Sequence, residues 1–120
     1  MPGPADLDPS EFRSRCPIAS TLDLVGDKWT LVVVRDLVLR GKHRFSELLA
    51  GPEGISTNIL ADRLARLERA GLVTRRRYQE HPPRDEYHPT PAAEDLRPLL
   101  MEMVRWGNAH IPGTYKPPTD

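Results

Sequence analysis

Apolar residues recur along this chain at helical spacing and then at strand-like spacing, and the switches between the two mark its elements. The most informative stretch is residues 55–77. Leu60, Leu64 and Leu67 repeat as one helical stripe. Ser56 precedes them as an N-cap whose hydroxyl can accept from first-turn amides, and Ile55 and Leu60 flank it at hydrophobic-staple spacing. Ile59 stands where a capping-box Glu or Gln would be. Gly71 supplies the stop, since glycine adopts the left-handed conformation at little cost. Leu72, Val73 and Thr74 then begin a β-prone run into Arg75, Arg76 and Arg77.

Upstream, Pro17 at a first helical position beside Cys16 predicts a helix to about Val25. Ile18, Leu22 and Val25 form its core face, and Gly26 ends it. Asp27 is the expected cap of a second helix, Lys28 to about Arg40. Its TLVVV segment is β-prone as well, but a dozen residues between a cap and Gly41 favour helix. Trp29, Val33 and Leu37 line one side and Leu31, Val34 and Val38 another, so this helix is expected to be buried nearly all round. Lys42-His43-Arg44 has room for a short strand. Phe45, Leu48 and Leu49 predict a brief helix to about Ala50, followed by a turn over Gly51-Pro52-Glu53-Gly54. A short helix, a Gly-containing turn and a longer capped helix make a helix-turn-helix.

Two strands follow, Leu72 to Gln79 and Asp85 to His88, joined by a loop whose Pro82-Pro83 excludes a two-residue turn. A hairpin in this place is a wing. Thr90-Pro91 opens a last helix, where Leu96, Leu99, Leu100, Met103, Trp106 and His110 carry an amphipathic pattern to about Ala109. Pro98 lies inside it and is expected to kink it. The fold class is therefore mainly α with a small β-hairpin (α+β), a winged helix-turn-helix. Residues 1–11 read as a flexible N-terminal arm, 12–111 as the domain and 112–120 as a flexible, proline-rich tail.

Composition sharpens this in two ways. The chain has 120 residues, enough for one domain, and its formal net charge is zero. That neutrality hides a segregation of charge. Residues 61–84 hold seven arginines against three acidic residues, whereas residues 1–11 hold three acidic residues and no basic one. Local positive density sets phosphate affinity more than the overall sum does. A single cysteine leaves no internal disulfide and suits a reducing cytoplasm. No signal peptide is expected from the acidic N-terminal segment, and no membrane span from an apolar run no longer than Leu31 to Val34. The expected location is cytoplasmic.

In chain order, Cys16-Pro17, Gly26-Asp27-Lys28-Trp29, Arg44-Phe45-x-Glu47-Leu48, Ile55-Ser56 and Leu60 are followed by Arg63-Leu64-x-x-Leu67-x-x-x-Gly71-Leu72-Val73-x-Arg75, then Pro83, Tyr87-x-x-Thr90 and Trp106-Gly107. This series, over residues 16–107, resembles the HxlR-type branch of the MarR-like winged helix-turn-helix regulators. The resemblance implies a homodimeric bacterial transcription factor, with dimerisation through the N- and C-terminal helices. Three positions depart from the pattern. Asp85 stands where an apolar residue usually follows the wing arginine, and Pro89 stands where an apolar residue usually ends the last strand, which predicts a shortened hairpin. Ala93-Glu94-Asp95 replaces a glycine near the start of the last helix.

On this reading the partner is double-stranded DNA. Thr57, Asn58, Ala61 and Asp62 are the candidates for base edges: Asn suits adenine, Ala a thymine methyl, and Asp can accept from cytosine N4. Asp62 could equally orient Arg63 or Arg66, and the same face could be a solvated surface with an Asp62–Arg66 pair. Arg63 and Arg66 are candidates for phosphates, with Arg44 and Ser46 at the start of the preceding helix. Strand alternation sends Arg75, Arg76 and Arg77 to different faces, so Arg77 and Arg84, nearest the wing tip, are the wing candidates.

Cys16 at a helix start, near Arg13 and Arg15, is in a setting that favours the thiolate, and is the candidate for sensing oxidants or electrophiles. The alternative is a packed, unreactive thiol. His43, His81, His88 and His110 are scattered, with no HExxH, CxxC or nucleophile–base spacing, so no enzyme, metal or cofactor is expected. The remaining alternative is a winged helix used for protein contacts or controlled by a small molecule between dimer helices, with Trp29, Met101, Met103 and Trp106 as lining or, more simply, as core.

Overall fold

The computed structural model describes residues 7–115. In the expected arm, Pro9–Glu11 forms one 3-10 turn capped by the Asp8 carboxylate; residues 1–6 lie outside the described part, as do residues 116–120 of the tail. Helix α1 (Pro17–Val25) starts and ends where Pro17 and Gly26 place it. Its expected core face is largely uncovered: only Val25 is buried, while Ile18 and Leu22 are 73% and 51% exposed. Arg13 and Ser14 bond its Asp23, Ala19 and Ser20, and Val25 with Leu24 joins the core; periodicity alone does not say what covers an apolar face.

Asp27 is the expected cap. Its Oδ1 accepts from the amides of Trp29 (2.8 Å) and Thr30 (3.0 Å), and the Thr30 hydroxyl donates to Oδ2. The helix proper, α2 (Thr30–Val38), starts later than expected, and Val33, Val34, Leu37 and Val38 are buried. It touches the later helices and the hairpin alike and so forms the centre of the core. It is not apolar all round. Asp36 is buried in it, held by Arg35 and Arg40, and Arg35 reaches Glu53 in the turn ahead.

Helix α3 (Phe45–Leu49) is closed at its start by Glu47, whose Oε1 accepts from the amides of His43 and Arg44. Helix α4 (Thr57–Arg69) has the Ser56 hydroxyl accepting from the Ile59 amide at 3.2 Å, and buries Leu60, Leu64 and Leu67. Its end is a Schellman motif: Leu72 N bonds Leu67 O, Gly71 N bonds Glu68 O, and Gly71 has φ 76°. The stop read from the sequence is realised with all its bonds.

Strands β1 (Val73–Gln79) and β2 (Arg84–Pro89) pair antiparallel, from Val73 opposite Pro89 to Gln79 opposite Arg84, with an irregularity between Arg77 and Gln79. The hairpin is not shortened by Pro89. The next residue supplies what proline lacks, as the Thr90 amide bonds Leu72 O at 3.0 Å and its hydroxyl bonds Gly71 O at 2.8 Å. Residues 42–44 add one isolated bridge, Arg44 opposite Glu86.

The last helix is broken rather than kinked. Helix α5 (Pro91–Glu94) ends before Leu96, and α6 (Arg97–His110) begins with Pro98 in its first turn. Breaking there places the missing proline amide among the unbonded amides of a helix start, which removes its cost. Leu100 of α6 is buried, but Met103 and Trp106 are exposed.

Candidate nucleic-acid interface

The leucine stripe of α4 turns the opposite face outward, where Asn58, Ala61 and Asp62 stand exposed, while Thr57, three residues before Leu60, is exposed at the first helical position on the leucine side. Arg66 is exposed beside them. Arg63, expected at a phosphate, is enclosed: its side chain is 16% exposed, Nε donates to Asp27 Oδ1 at 3.0 Å, and Nη1 donates to Asp62 Oδ2 at 2.6 Å. Arg66 Nε lies 3.0 Å from the same Asp62 oxygen. The charge pair foreseen at Asp62 is thus present, with Arg63 as a second partner. Burial works against the Asp27 carboxylate, yet its bonds from Thr30, the Trp29 amide and Arg63 outweigh it and hold the group far below the usual carboxylate range. Sequence reading found Asp27 as a cap and missed its second role, for a bond between residues 36 apart leaves no periodic signal.

Arg44 and Ser46 are exposed at the start of α3. Arg44 sits over the Tyr78 ring, 4.2 Å from its centroid, and 3.5 Å from Glu86, so it joins α3 to the wing. Along the hairpin Arg77 donates Nε to Asp85 at 2.8 Å, and Arg75 lies between Glu68 and Asp85 at 3.8 and 3.9 Å. Asp85, a departure from the family pattern, is therefore a counter-ion on the face of Arg75 and Arg77. Arg76, opposite Glu86, belongs to the other face. Arg84 is exposed at the first position of β2. The structure brings α4, the start of α3 and the hairpin into neighbouring positions; Cys16 lies apart, exposed at the N-cap of α1.

Two histidines that look scattered in the sequence meet. The rings of His43 and His88 stack at 4.3 Å, His43 Nδ1 lies 3.0 Å from Tyr87 O, and His88 Nε2 lies 3.0 Å from Glu86. They brace the segment before α3 against β2. Among the described residues no group of three or more His, Cys, Asp or Glu side chains could hold a metal, and no helix is long and apolar enough to cross a membrane.

An apolar cavity of about 480 Å³ opens between α2 and α6, lined by Leu31, Arg35, Leu39, Leu100, Met103 and Tyr115 among others. Of the four residues expected around a ligand, only Met103 lines it; Trp29, Met101 and Trp106 do not.

The profile of the HxlR-like helix-turn-helix family matches residues 24–115. An uncharacterized HTH-type transcriptional regulator of Synechocystis sp. is 38% identical over 105 residues, spanning 87% of this chain and 77% of that one. Among solved structures, one assigned to the MarR family from Porphyromonas gingivalis W83 superposes with a TM-score of 0.72 at 31% identity, covering 82% of this chain and 95% of that one. The redox regulator HypR in its oxidized form gives a TM-score of 0.68 at 33% identity, covering 79% and 97%. The chain belongs to the HxlR-like helix-turn-helix family, and so stands among transcriptional regulators rather than enzymes.

Proposed function

We propose that this regulator binds a pseudo-palindromic operator as a homodimer and reads it with α4. The observation that carries this reading is the exposed N-terminal part of α4, where Asn58 and Ala61 face outward and Thr57 is exposed at the first helical position, the end that enters a major groove. These residues meet base edges. Arg44, Ser46 and Arg66 meet phosphates, and Arg77 and Arg84 meet the backbone beside the wing. A homodimer is supported by apolar side chains left bare on α1 and α6, among them Ile18, Leu22, Met103 and Trp106. Two α4 helices so related sit about 34 Å apart, one turn of DNA. Hydroxyl-radical footprinting on DNA flanking the protein's own gene tests this. Two protected patches related by a dyad are expected, and a single patch would refute the dimer.

Control through Cys16 is a second reading, favoured by its exposure at a helix N-cap and by the likeness to a redox regulator. Two Cys16 thiols, one from each subunit, lose two protons and two electrons to an oxidant and form one intersubunit disulfide that shifts the reading helices. Diamide is the probe. DNA binding by the parent should change on treatment and that of Cys16→Ser should not; an equal response in both sinks this reading. The α2–α6 cavity favours the alternative of a small apolar effector there.

A further inference from the structure

Four charges alternate from the start of α2 to the outer face of α4: Asp27, Arg63, Asp62 and Arg66. Arg63 donates to Asp27 at 3.0 Å and to Asp62 at 2.6 Å, and Arg66 Nε forms an ion pair with Asp62 at 3.0 Å. Asp27 is itself fixed from the other side by the amides of Trp29 and Thr30 and by the Thr30 hydroxyl. Its carboxylate therefore has no freedom of its own, and what it grips is registered to α2.

The apolar stripe of α4 cannot supply that registration. Leu60, Leu64 and Leu67 hold the helix against the core, but apolar burial is non-directional and tolerates small rolls and slides. A hydrogen bond to a charged partner loses strength steeply with angle and distance. Arg63 projects from the same turns as Ala61 and Asp62, so a helix roll that keeps Arg63 on Asp27 keeps the reading face in one orientation.

We propose that Asp27 and Arg63 are positioning residues for DNA recognition, the pair fixing the roll of α4 and so the orientation of its base-reading face. This rests on the reading of α4 as the DNA-reading helix. Arg63 then carries no phosphate contact, and Asp62 is a link in the chain rather than a reader of cytosine. Base contacts need their side chains held to within about 0.5 Å, whereas phosphate contacts by long side chains set register without reading sequence.

The test uses the full chain and a duplex selected by it from a random pool, with a scrambled duplex as the non-specific probe. Binding is measured over a range of salt, at a temperature where circular dichroism shows each variant folded. Arg63→Met should lose at least tenfold on the selected duplex while binding the scrambled one as the parent does, with an unchanged salt slope. Arg66→Ala should weaken both duplexes alike and lower the slope by about one. Asp27→Asn combined with Arg63→Met should be no worse than Arg63→Met alone. If Arg63→Met does not fold, Arg63→Lys and Asp27→Asn carry the comparison, with the same loss confined to the selected duplex. Equal weakening of both duplexes with a reduced slope would make Arg63 a phosphate contact and overturn the proposal, as would unchanged binding to the selected duplex. A parent that selects no duplex would instead overturn the reading of α4 on which the proposal stands.

Discussion

Arg35 donates to both carboxylate oxygens of Glu53, Nη1 to Oε2 at 2.7 Å and Nη2 to Oε1 at 2.9 Å, and so ties the central helix α2 to the turn that launches α4. Its Nε also donates to Asp36, a buried carboxylate whose other partner is Arg40 at 3.4 Å. The Glu53 bonds, working against burial and helped by Asp36, hold the Arg35 guanidinium firmly in its charged form. Removing Arg35 strips Asp36 of its nearer partner inside the core. Arg35→Ala should therefore destabilise the fold by about 3–5 kcal/mol, as for breaking a buried pair from one side. Glu53→Gln keeps an acceptor and should cost about 1 kcal/mol. Urea denaturation checks both, and an Arg35→Ala effect no larger than that of Glu53→Gln would contradict the account.

The cap and stripe of α4 give a second pair of expectations. Ser56→Ala should lower stability by about 1 kcal/mol through the lost bond to the Ile59 amide. Leu64→Ala should lower it by about 2–5 kcal/mol, because Leu64 is buried and its loss opens a cavity beneath the helix. Thermal melts followed by circular dichroism distinguish the two, with Leu64→Ala expected to show the larger drop in Tm.

Much of this fold is legible in the local sequence. Ser56, the three leucines and Gly71 define α4 because cap, stripe and stop are all local, and the structure realises each. Pro17 and Thr90-Pro91 mark helix starts for the same reason. What could not be read depends on pairing across the chain. Ile18 and Leu22 have helical spacing but stay exposed among the described residues, and the break before Pro98 falls where a proline amide is harmless. The helix expected to be buried nearly all round carries Asp36 and Arg35, whose partner Glu53 lies beyond the reach of local spacing. The expected readers Asn58, Ala61 and Asp62 stand together on one exposed face with Thr57 exposed at the helix start beside it, while Arg63 turns inward because a carboxylate 36 residues away attracts it.

Acid should loosen the fold through Asp27 and Glu53. Burial opposes ionisation of Asp27 but its hydrogen bonds outweigh it, and the Arg35 bond lowers Glu53 in spite of burial. Both folded-state values lie below the unfolded ones. The stability they contribute is therefore fully present above about pH 4–5, near the unfolded carboxylate values, and is lost as pH falls below them. Urea midpoints between neutral pH and about pH 2.5 should fall for the parent, and the fall should be shallower for Asp27→Asn, which also starts from a lower midpoint at neutrality. A steeper acid limb in the variant would contradict this.

On the wing, Arg84 and Arg75 should behave differently toward DNA. Arg84 is exposed at the start of β2, whereas Arg75 lies between Glu68 and Asp85. Arg84→Ala should weaken binding to all duplexes about equally and reduce the salt slope by about one. Arg75→Ala should leave the slope unchanged. Titrations at several salt concentrations decide it, and the reverse pattern would relocate the wing contact to Arg75.

The central claim is that the exposed N-terminal face of α4 reads base sequence. The most direct measurement compares the affinity of the parent and Asn58→Ala for a duplex selected from a random pool and for its scrambled counterpart, at one physiological salt concentration. The parent should prefer the selected duplex by at least about 10³-fold. Asn58→Ala should lose about 1–3 kcal/mol of that preference, as for a lost bidentate base contact, while binding the scrambled duplex as before. Equal affinity of the parent for both duplexes, or a preference untouched by Asn58→Ala, would contradict the account.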